Sequence, residues 1–161
     1  MRGVVAYDSV YGNTRLVAET VRAELENAGH QVTLLNVRES REVPSEGDFL
    51  MVGSPTRFGK MTRASKRLVR KLDVRTWGAK PVAMFDTYSP YRGDDPEEAA
   101  KSRKWVEPGA AGSLAAIAER RGLKVRAPAL RCSVKGAKGP LDEGELEKAR
   151  EYARGLAGSL G

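Results

Sequence analysis

The sequence predicts an α/β protein: a five-stranded parallel sheet with helices on both faces. Three observations lead there. Short apolar runs alternate along the chain with segments whose apolar residues recur at helical spacing. The first run, Val4-Val5-Ala6-Tyr7, passes through small polar residues straight into a helical segment. The chain has 161 residues, which is most simply one domain over 1–161 with a sizeable core.

The elements follow in order. The first strand covers residues 3–8. Val17, Val21, Leu25 and Ala28 then recur at helical spacing, and Gly29 ends that helix. Val32, Leu34 and Leu35 place a second strand near 31–37. Ser45 to Gly47 is a turn, and residues 48–53 form a third strand. Ala64, Leu68 and Leu72 mark a helix. Pro81-Val82-Ala83-Met84-Phe85 is a fourth strand, its proline tolerated as first residue. Residues 87–108 read as a long loop with some local helix. Leu114, Ile117 and Ala118 lie on a further helix, and 123–130 form the fifth strand. Leu146, Ala149, Ala153, Leu156 and Leu160 stripe a last helix. Such an alternation buries a parallel sheet on both faces. Ligands of these sheets bind at the carboxyl ends of strands, where the strand order reverses. That rule singles out the loops after strands one, three and four.

The first of these loops runs from Asp8 through Ser9, Val10, Tyr11, Gly12 and Asn13 to Thr14. Backbone N–H groups at a helix start lack partners, and the helix dipole favours an anion there. Ser9, Asn13 and Thr14 add side-chain donors, and Gly12 permits a tight turn. The loop matches neither the P-loop nor the dinucleotide Gly-rich pattern, so neutral donors would hold a phosphate. A plain helix cap is the alternative reading of these residues. The second loop, Ser54 to Met61, combines Pro55, Thr56, Arg57, Phe58 and Gly59. The third, Asp86 to Asp94, carries Thr87, Tyr88 and Tyr91. Aromatic faces with backbone groups at their edge suit a flat aromatic ligand.

Other chemistries are excluded. Cys132 is the single cysteine, so no intrachain disulfide, cysteine zinc site or iron–sulfur cluster can form. His30 is the single histidine, beside Gly29 at a helix-to-strand junction, and reads as a capping or surface residue. No run is long and apolar enough for a membrane span, and because the first residues read as a strand, no signal peptide is expected. A cytoplasmic location is the expectation.

The loops resemble those of the flavodoxin-like family, which binds flavin mononucleotide (FMN). Asp8 to Thr14 is similar to the family's phosphate loop, Thr/Ser-x-Thr-Gly-Asn-Thr, with Tyr11 in place of its third residue, as in the flavodoxin domains of flavodiiron proteins. Gly53 to Gly59 resembles the ring-contacting loop of quinone reductases of the tryptophan-repressor-binding type. The resemblance implies a three-layer sandwich with strand order 2-1-3-4-5. It also implies that Ser9, Tyr11, Gly12, Asn13 and Thr14 hold the phosphate. Pro55, Thr56, Arg57, Phe58 and Gly59 would line the ring, and Thr87, Tyr88 and Tyr91 would close its other side. The third loop departs from the family, lacking the usual aromatic-Gly start, and Trp105 is a further aromatic candidate.

The resemblance does not account for the charge. The formal balance is +7, whereas flavodoxin carriers are usually acidic. From Arg57 through Lys60, Arg63, Lys66, Arg67, Arg70, Lys71 and Arg75 to Lys80, Asp73 is the single acid. This patch would steer an acidic redox partner or an anionic substrate, or it is simply a solvated helix face. It lacks the interleaved aromatics of a nucleic-acid surface. Three functions are compatible with these features. The first is FMN-based electron transfer between proteins. The second is a flavin-dependent oxidoreductase for a small molecule, of quinone-reductase or protoporphyrinogen-oxidase type, with 88–108 as a lid. The third is a flavin-free basic binding module.

Overall fold

The computed structural model describes residues 1–161. The strands are β1 (Arg2–Tyr7), β2 (Gln31–Asn36), β3 (Phe49–Pro55), β4 (Pro81–Tyr88) and β5 (Lys124–Ser133). The helices are α1 (Asn13–Asn27), α2 (Arg63–Lys71), α3 (Val74–Trp77), α4 (Pro96–Ser102), α5 (Gly109–Arg120) and α6 (Glu145–Leu160), with a 3₁₀ turn at Arg103–Trp105. The sheet has order β2-β1-β3-β4-β5, and every pairing is parallel. This is the predicted class and the predicted order. The order reverses between β1 and β3, and that switch point positions everything that follows.

Apolar side chains leave the strands on both faces. Val4, Ala6, Leu50, Val52, Val82 and Met84 pack under Leu68, Val69, Leu114 and Ile117 on one side. Val5, Met51, Phe85 and Leu130 meet Val17, Val21, Ala149 and Leu156 on the other. So α2 and α5 cover one face, and α1 and α6 the other. The near-continuous apolar runs of β1, β3 and β4 follow from this double burial. His30 is half-buried and packs edge-to-face on Phe49, their ring centroids 5.6 Å apart.

Two glycines in the sheet are required for space: a Cβ on Gly3 would enter the ring of Phe49. A Cβ on Gly53 would enter the ring of Phe85 on the neighbouring strand. Gly53→Ala is expected to destabilise by about 1–3 kcal/mol, the usual cost of overpacking a filled core. Thermal unfolding reads this as a melting point lower by about 2–4 °C per kcal/mol; an unchanged midpoint contradicts it.

The structure departs from the sequence reading at several places. β4 runs on to Tyr88 and β5 to Ser133, beyond the expected ends at 85 and 130. The added residues include Asp86 and Thr87, which are buried but fully engaged by hydrogen bonds, so hydropathy missed them. Asp73 caps an unforeseen short helix, α3, by accepting from the Arg75 N–H. In the stripe of α6, Leu146 is only half-buried and Glu145 is buried instead. The Glu145 carboxylate accepts from the Ser133 amide and hydroxyl and from Lys148, which closes the sheet's last strand onto the helix. No helix is long and apolar enough to cross a membrane.

Candidate functional site

Between β1 and α1 the chain makes a loop whose donors point outward. Ser9 Oγ accepts from the Gly12 amide at 3.0 Å and the Arg15 amide at 3.3 Å, which closes the turn. Gly12 stands at the helix N-cap with φ 94°, a conformation that favours glycine. The amides of Val10, Tyr11, Asn13 and Thr14 have no acceptor within the chain. The hydroxyls of Thr14 and Thr87 lie 2.8 Å apart, tying α1 to the end of β4. One of the two accepts, and its own proton is left for a ligand.

The loop after β3 is a small hairpin. Arg57 and Lys60 exchange backbone bonds of 2.8 and 3.0 Å around Phe58-Gly59. Both tip residues have positive φ, as a type I′ turn demands. Phe58, with φ 51°, is the one non-glycine residue in that region, and the residue is 76% exposed. Trp105 meets it edge-to-face with ring centroids 6.1 Å apart. A Cβ on Gly59 would strike the Lys104 carbonyl, so the 103–105 turn leans directly on the hairpin tip.

Beneath the hairpin lies a buried ionic hub. The Asp86 carboxylate accepts from the Thr56 hydroxyl at 2.9 Å, the Ala111 amide at 3.1 Å and Arg131 Nε at 3.0 Å. Thr56 Oγ1 in turn accepts from the Ala110 amide. Arg131 also donates to the Val106 carbonyl, and its guanidinium stacks on Tyr88, 4.2 Å from the ring centroid. Asp86 thus ties together the β3 loop, the start of α5 and, through Arg131, the Tyr88 ring.

The loops after β1, β3 and β4 enclose a cleft of about 280 Å³ at the switch point. Ser9, Tyr11, Asn13 and Thr14 line it, as do Pro55, Thr56, Arg57 and Phe58, and Thr87 and Tyr88. The three loops singled out from sequence therefore meet in one place. Gly12 and Gly59 shape the backbone without lining the cleft. Tyr91, expected at the ring, does not line the cleft; its hydroxyl lies against Gly93. Trp105 does line the cleft. Val10, Ser89, Val134 and Ala137 were not foreseen. The last two belong to the loop after β5, drawn in where the Val134 amide donates to the Tyr88 carbonyl and Gly139 abuts the Asn13 side chain. Its Gly136, Gly139 and Pro140 were the available turn signal. Cys132 is buried, and desolvation raises its thiol to about 12, so it is no nucleophile.

A doubly wound sheet of order 2-1-3-4-5, with an unpartnered amide loop and aromatic rims at its switch point, defines a mononucleotide-binding protein of the flavodoxin-like class. The family model of the flavodoxin domain matches residues 4–123. The chain belongs to that family, whose members bind FMN. It is similar in structure to a flavodoxin from the domain Archaea, with TM-score 0.74, 21% identity and 99% of each chain covered. Oxidised flavodoxin 1 from Bacillus cereus superposes with TM-score 0.72 at 15% identity over 100% of both chains. A WrbA-like flavodoxin protein from Agrobacterium tumefaciens gives 0.68 at 19% identity, over 99% of this chain and 96% of that one. No curated protein matches the chain significantly in sequence.

Proposed function

We propose that this flavodoxin carries electrons between proteins and docks on an acidic redox partner through the cations beside its cleft. The observation that supports cofactor binding most directly is the set of amides at Val10, Tyr11, Asn13 and Thr14 with no acceptor in the chain. They would receive the FMN phosphate, with the Ser9 hydroxyl beside them. Pro55, Thr56, Arg57, Phe58, Thr87, Tyr88 and Trp105 would hold the ring system. Bound FMN supplies one- and two-electron redox chemistry, while the protein sets access and potential.

Arg57 stands exposed at the cleft with no acidic partner. Its guanidinium favours the negative charge that reduction brings into the site. Arg57→Ala is expected to make the potential for the second electron more negative by about 20–40 mV, an exposed charge acting through water. Potentiometric titration of both proteins measures this, and equal potentials rule the role out.

The basic surface supports the choice of partner. Arg57, Lys60, Arg63, Arg67, Arg70 and Lys71 are all exposed, and none forms an ion pair. Lys80 is separate: it donates to the Ser45 carbonyl and lies over the Trp77 ring. Electron transfer to an acidic ferredoxin-type protein should slow as salt rises, because steering by exposed charges is screened. A rate indifferent to salt argues against docking by charge.

A second reading has one observation in its favour. Trp105 comes from the long segment after β4 and covers the cleft against Phe58, as a lid over a small substrate would. Steady turnover of NAD(P)H with a quinone and no protein partner would establish that oxidoreductase. A purified protein that takes up no added FMN, seen as a flat visible spectrum, would favour the flavin-free module.

A further inference from the structure

A second cleft opens at the carboxyl edge of the sheet, between the loop after β2 and α2. Its volume is about 320 Å³. Arg38 and Arg41 enter from the loop after β2, and Arg63 and Arg67 from α2, with Asp8 and Thr62 also on its wall. It shares no lining residue with the cleft described above. Val37 and Ala64 tie it to the α2 face of the sheet, opposite α1.

The charges here do not balance within the chain. Asp8 is the single acid on the wall, and Arg38 engages it through Nε. Arg41, Arg63 and Arg67 make no side-chain hydrogen bond or ion pair. A merely solvated helix face does not account for this arrangement. Arg63 and Arg67 are four apart and share one side of α2, while Lys66, Arg70 and Lys71 of the same helix stay outside the cleft. The other two arginines come from a segment on the far side of β3 in sequence. Guanidinium groups gathered from two segments onto one cavity match the planar, multidentate demand of an oxyanion, and phosphate above all.

We propose that this cleft binds a phosphoryl group of a small polyanion, independently of the cofactor cleft. The shared chemistry is a phosphate of charge −2 or more, whether free or carried by a nucleotide.

Titration calorimetry with inorganic pyrophosphate tests it, on the protein with FMN added and without. One site is expected with FMN bound; without FMN the loop after β1 can take a second pyrophosphate. Arg63→Ala/Arg67→Ala should weaken the site seen with FMN bound at least tenfold. Lys66→Ala/Arg70→Ala removes the same charge from the same helix and should stay within about twofold of wild type. A parallel titration with adenosine 2′,5′-bisphosphate identifies the source. At least tenfold tighter binding than pyrophosphate assigns a nucleotide phosphate, and equal or weaker binding assigns a free one. The proposal is overturned by absence of heat, by equal loss in the two double variants, or by binding that vanishes in Gly12→Val yet survives in Arg63→Ala/Arg67→Ala. The last result would place the anion in the loop after β1 and would leave the FMN reading standing.

Discussion

Asp86→Ala is expected to lower the unfolding free energy by about 3 kcal/mol, the lower end for breaking a buried ion pair. Asp86 has no exposed surface, while a quarter of the Arg131 side chain reaches water and can recover some solvation. The substitution leaves the Thr56 hydroxyl, the Ala111 amide and Arg131 without their acceptor. At this chain length the melting point should fall by about 6–12 °C. FMN affinity, measured well below the new midpoint, should fall as well, because the Thr56 hairpin and the Tyr88 ring lose their common anchor. Asp86→Asn keeps an acceptor oxygen and should recover part of both. A loss of stability with unchanged FMN affinity would show that the hub supports the sheet but not the cleft.

Gly12→Val should weaken FMN binding by about 3 kcal/mol, on the order of a hundredfold. At φ 94° a β-branched residue is strained, and the loop relieves the strain by turning its peptide planes. No neighbour stands within 4 Å of a Cβ at this position, so crowding plays no part. The amides on either side of Gly12 then lose their common aim, and charge-assisted hydrogen bonds are each worth about 1.5–3 kcal/mol. Fluorescence titration with FMN measures the effect. Far-ultraviolet dichroism should remain that of the parent, since α1 still begins at the same place. Parent-like affinity in this variant would mean that the loop is only a helix cap.

The site was readable in proportion to how local its causes were. The loop after β1 was legible because a strand, small polar residues and a helix start follow one another in the chain, and a helix start leaves amides free wherever it occurs. The loops after β3 and β4 were legible from the rule that places ligands at a switch point. Asp86 was not. A carboxylate at the end of an apolar run looks like a strand's exposed tip, and its burial depends on Arg131, 45 residues away. Tyr91 and Trp105 show the same limit. Both are aromatics in one long segment; the packing of the 103–105 turn against Gly59 accompanies Trp105 at the cleft, while Tyr91 does not line it. The loop after β5 joined the site through its hydrogen bond to Tyr88 and its contact with Asn13, both distant in sequence.

By itself the chain determined the alternation of strands and helices, the double burial of the sheet and the unpartnered amides of the first loop. Each is written in residues a few positions apart, where hydrophobic period and backbone geometry act directly. The three-dimensional arrangement alone decided which charges are neutralised and which remain free. Arg131 is held by Asp86 and Arg38 by Asp8, while Arg41, Arg63 and Arg67 converge without a counter-ion. Coulomb energies depend on separation in space and on burial, and neither can be read from distance along a sequence.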